Sequence, residues 1–110
     1  MSKFAVFFTL EPEAIAGMME RPSDRETTVR HLMESAGARL EAYYWMFGAY
    51  DGFVIGEAPD SASVAAVSLA VSSTGAFGHL ETHELIPASQ INDVLARAKQ
   101  ARGAYTAPGA

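Results

Sequence analysis

With 110 residues, 49% of them hydrophobic and 10% aromatic, the chain has the composition of one globular domain, able to bury roughly two-thirds of its unfolded surface. A formal net charge of −5, with eight Lys and Arg scattered apart from Arg97, Lys99 and Arg102, excludes the concentrated basic face that nucleic acid requires. Cysteine is absent, which removes disulfides, thiol nucleophiles and thiolate metal sites and suits a reducing cytoplasm.

Lys3 to Leu10 reads as the first strand, with Phe4, Val6, Phe8 and Leu10 on one face and Ala5, Phe7 and Thr9 on the other. Both faces are largely apolar, as in a central strand covered on both sides. The run is too short, and too soon interrupted by Glu11, for a signal peptide or membrane span, so a cytoplasmic protein without membrane contact is expected. Pro12 starts a short helix carrying Ile15, Met18 and Met19, which Arg21-Pro22 breaks. Ser23 with Glu26 has capping-box spacing. The helix behind it carries a Val29, Leu32, Met33, Ala36 stripe and stops at Gly37. His31 lies opposite that stripe, on the solvated face.

Two aromatic and β-branched runs follow, Leu40 to Phe47 and Phe53 to Ala58. They read as a hairpin turning at Asp51-Gly52, because Asp tolerates the left-handed region and Gly enters it freely. Simple alternation puts Tyr43, Trp45 and Phe47 on one side and Leu40, Ala42, Tyr44 and Met46 on the other. Asp60 caps a helix from Ser61 to about Ser73, with Val64, Val67 and Val71 buried and Leu69 alongside. Thr74 to Gly78 is a connector, since it lacks the Lys-Ser/Thr of a phosphate loop and follows a helix. His79 to Ile86 is the last strand. Ser89 then caps a C-terminal helix with Ile91, Val94, Leu95 and Ala98 on one face. One domain spans residues 1–102, and residues 103–110 form a flexible tail.

The order β-α-β-β-α-β with a trailing helix is the ferredoxin-like α+β unit, an antiparallel sheet with its main helices on one face. Right-handed crossovers set the strand order 4-1-3-2. The sheet's apolar open face needs a cover, and a second copy is the simplest, so a homodimer is expected.

Gly48-Ala49-Tyr50-Asp51 resembles the Gly-x-Tyr-Asp signature of the GYD domain family. The likeness takes in Leu40, Tyr44, Glu57 to Asp60, and the last strand from Gly78 to Leu85, and spans about residues 3 to 90. It departs at Gly52, where that family usually has an apolar residue, and does not extend to His79 or His83. The resemblance implies a dimeric α+β barrel and little about activity.

No catalytic signature appears: there is no nucleophile elbow and no Ser-His-Asp order at motif spacing. His79, Glu81 and His83 share one strand face, but the outer Cα atoms of such a trio lie roughly 13 Å apart, too far for one ion. Neither a metal nor a cofactor is expected. Asp51 is read first as a hairpin-setting residue and otherwise as a carboxylate at a barrel mouth. Tyr44, Trp45, Tyr50, Asp51 and Glu57 are the candidate ligand-binding residues, for a small apolar or aromatic molecule between protomers. Two functions compete. One is a ligand-binding or structural dimer. The other is a cofactor-independent, monooxygenase- or isomerase-like enzyme with a pocket lined by Tyr44 and Trp45.

Overall fold

In the computed structural model, which describes residues 1–110, strand β1 (Ser2–Leu10) takes the inner position that its two apolar faces demand. It pairs antiparallel with β3 (Gly52–Ala58) on one side and with β4 (Phe77–Leu85) on the other. β2 (Arg39–Trp45) lies outside β3, which gives the spatial order β2-β3-β1-β4 expected from right-handed crossovers. Helices α2 (Arg25–Ser35) and α3 (Ser61–Ser72) cover one face. The core forms there, with Phe4, Val6 and Phe8 of β1 packed among Met33, Leu40, Val54, Val64 and Val67.

Helix α1 (Pro12–Glu20) begins with proline, has no buried residue, and is tied at its start by the Glu11 N–H donating to the Ala76 carbonyl at 2.8 Å. The cap of α2 is Asp24 rather than Ser23: its carboxylate accepts from the Thr27 N–H at 3.1 Å and from the Thr27 hydroxyl at 2.7 Å. Asp and Ser are comparable caps, and Asp24 takes the position by engaging both the N–H and the hydroxyl of Thr27. Asp60 caps α3 as expected, accepting from the Ser63 N–H at 2.8 Å. Leu69 does not join the valine stripe of α3; it is 69% exposed.

The hairpin differs from the sequence reading twice. Pairing of β2 with β3 shifts register between Leu40 and Ala42, so Glu41 is the extra residue of a bulge. Leu40 therefore joins Tyr43 and Trp45 on the helix-covered face, opposite Gly56, Val54 and Gly52. The turn is also elsewhere. Gly48 has the positive φ, at 128°, whereas Gly52 is extended strand backbone paired with Phe8 and Trp45. Gly52 is small for a different reason: a Cβ there would stand 2.6 Å from Phe8 Cζ and 2.8 Å from the Tyr44 carbonyl.

β4 starts two residues earlier than expected, bringing Phe77 against Phe8 with ring centroids 5.5 Å apart. Beyond it, a 3-10 turn (Ala88–Gln90) runs into α4 (Ile91–Gly103) without a side-chain cap, so Ser89 lies inside the turn instead of capping the helix. α4 buries nothing and leaves the body. The radius of gyration is accordingly 17.6 Å, against about 13 Å for a compact chain near this length.

Candidate functional site

Strand pairing places Ala5, Phe7 and Thr9 of β1 beside Ile55 and Phe53 of β3 and beside His83, Glu81 and His79 of β4, all on the face without helices. Ala42 and Tyr44 extend this face onto β2. Phe53 lies at its centre, with Phe7 and Tyr44 each stacked at a centroid distance of 5.5 Å. Tyr44 is 60% exposed at the edge of this aromatic row.

The titratable residues frame the apolar row from both ends. At one end the Tyr50 hydroxyl donates to Glu81, while Glu81 stands 3.5 Å from His79 Nε2 and 3.9 Å from His83 Nε2. The Tyr50 bond holds the Glu81 carboxyl below its usual range; desolvation opposes this and His79 assists. Reciprocally, the carboxylate pushes the Tyr50 phenol up, with burial adding to it. At the other end Arg39 meets Glu57 at 2.9 Å and Lys3 meets Glu41 at 3.0 Å. The lysine contact is the main cause that lowers the Glu41 carboxyl. Acid and base groups here already have partners, so the arrangement is a polar rim around an apolar patch.

The signature tetrapeptide builds one end of that rim. Gly48 supplies the left-handed turn. Tyr50 then reaches from the hairpin loop across β1 to Glu81 of β4, its ring 5.5 Å from Phe7 and 6.5 Å from His79. Asp51 turns the other way. Its carboxylate accepts from the Leu10 N–H at 2.7 Å, where the pairing of β1 with β4 shifts register, and its own N–H donates to the Phe8 carbonyl at 2.8 Å.

The five predicted ligand-binding residues therefore do not form one site. Tyr44 and Tyr50 belong to the open face, and Glu57 to the ion-paired end of it. Asp51 is engaged with backbone. Trp45 points through the sheet to the helix side, where it packs edge-on to Phe8 at 5.8 Å and lines a cavity of about 550 Å³. Neighbours on a strand face opposite ways, so no single pocket holds both Tyr44 and Trp45. Sequence reasoning missed the union of Tyr50 with Glu81, because 31 residues separate the pair and only strand order brings β4 under the loop.

The chain has relatives among known proteins. One curated relative, the glutamine synthetase and cystathionine beta-lyase binding protein of Thermus thermophilus, is 31% identical over 99 residues, covering 90% of this chain and all of its own length. The GYD domain family matches residues 4–95, a span that holds the whole sheet and the Gly48–Asp51 signature. The chain belongs to the GYD domain family.

Proposed function

We propose that this protein is a non-catalytic binding module that works in the cytoplasm as a homodimer joined through the open face of its sheet. One observation carries the proposal: the row Tyr44, Phe53, Phe7 is apolar, only partly covered, and has no helix over it. A two-fold pairing would bury this row against its copy, with the Tyr50–Glu81 and Arg39–Glu57 groups at the margin. The Thermus relative is named for binding two enzymes, which supports protein partners here as well.

Catalysis is the second reading, and the helix-side cavity is the feature that favours it. Its lining contains no His, Asp, Glu or Lys, so it lacks an ordinary general base. Binding is the better account. Size-exclusion chromatography of a Tyr44→Glu variant tests the interface. Elution at half the wild-type mass supports it, and unchanged dimeric elution would place the contact elsewhere.

A further inference from the structure

The cavity on the helix side is walled by aromatic rings arranged about Phe8. Tyr43, Trp45 and Phe77 approach it edge-on at 6.2, 5.8 and 5.5 Å. Its volume of about 550 Å³ lies within the roughly 300–1,000 Å³ typical of small-molecule sites. Helices α2 and α3 line it with Leu32 and Val71 among others, and α1 adds Ala14, Gly17 and Met18 while burying none of its own residues. The sheet and helices thus leave an unfilled apolar space closed by a loosely held helix.

The charged groups that line this cavity have one sign, beside neutral hydroxyls such as Thr28 and Ser68. Arg21 and Arg25 line it, and neither has a carboxylate within ion-pair reach, although the chain as a whole is acidic. Arg30, Arg39 and Arg97 are paired with carboxylates, whereas Arg102, outside the cavity on α4, is unpaired as well. The Tyr43 phenol has no hydrogen-bond partner within the chain; burial pushes it up while the nearby Arg25 charge opposes the shift. Two unpaired guanidiniums and a free phenol beside an aromatic-walled space match a ligand with an apolar body and one anionic end.

We propose that this cavity binds a small amphipathic carboxylate, its body against Phe8, Trp45 and Phe77 and its head at Arg21 and Arg25. The helix α4 of a second copy does not suit the space. A helix with side chains is about 10–12 Å across, and α4 brings Arg97, Lys99 and Arg102, which the two arginines repel. The site lies on the face opposite the dimer contact and does not depend on it.

Trp45 is the only tryptophan, so its emission reports on this wall. The probe is sodium decanoate, titrated into the full-length protein below its micelle-forming concentration. A saturable change in Trp45 emission is expected. The Arg21→Ala/Arg25→Ala variant should bind decanoate about tenfold or more weakly, while binding neutral decanol as the wild type does. Ala14→Phe, which fills the space from α1, should abolish both, and Tyr44→Ala on the other face should change neither. The proposal is overturned by a non-saturable response, by unchanged decanoate affinity in the arginine variant, or by loss of binding in Tyr44→Ala. Because the readout does not depend on oligomeric state, it can fail while the dimer stands, and the reverse.

Discussion

Asp51 occupies the point where β1 changes register against β4, and its carboxylate satisfies a backbone N–H of Leu10 there. Removing the acceptor leaves that half-buried donor unpaired, so Asp51→Ala should cost on the order of 1–3 kcal/mol. Asp51→Asn keeps an oxygen in place and should cost about 1 kcal/mol or less. Denaturant melts of the two variants check this; equal losses would mean that charge, not the acceptor, is what matters. The Tyr50–Glu81 bond makes a prediction in pH instead. Glu81 is held below its unfolded value of 4.5, so the bond adds stability above that pH and loses it as pH falls through the lowered folded value. Tyr50 is held above 10.0, so the contribution is complete below pH 10 and lost as pH rises through the raised value. The difference in melting temperature between wild type and Tyr50→Phe should therefore be level from about pH 5 to about pH 9 and shrink outside those limits. A difference that persists unchanged down to about pH 3 would contradict the assignment.

The hairpin β2–β3 shows which element-level properties a sequence carries. Its two strands were legible from aromatic and β-branched content, and the placement of β3 beside β1 from crossover handedness. Its turn and its bulge were not. Two glycines stand near the turn, and local chemistry favours Asp51-Gly52; Asp51 is instead drawn to Leu10, a partner 41 residues away, and the turn falls at Gly48. The bulge at Glu41 rotates Leu40 to the core side, where Gly56 stands opposite with no side chain of its own. Gly52 is required by packing against Phe8 and the Tyr44 carbonyl. Gly52→Ala should thus destabilise by roughly 1–3 kcal/mol even though its φ is ordinary. A neutral Gly52→Ala in a thermal melt would show that Phe8 moves aside freely. The candidate site was half legible for the same reason: side-chain alternation assigns faces within a strand, but which strands meet, and so which side chains share a face, is settled by the sheet.

At the scale of the molecule, the helices cover one face, and the sheet's other face and α4 are left without partners inside the chain. Ile91 and Leu95 of α4 are exposed, as are Leu85 and Ile86 where β4 ends. A lone chain thus keeps two apolar surfaces in water, which a second copy relieves together if α4 lies on the partner while the sheets pair. No helix is long and apolar enough to cross a membrane, so a bilayer-spanning role for α4 does not compete. The most direct test is the mass in dilute solution. Multi-angle light scattering of the unmodified protein should give twice the 11.7 kDa of the chain, and a stable, well-folded particle of 11.7 kDa would contradict the account.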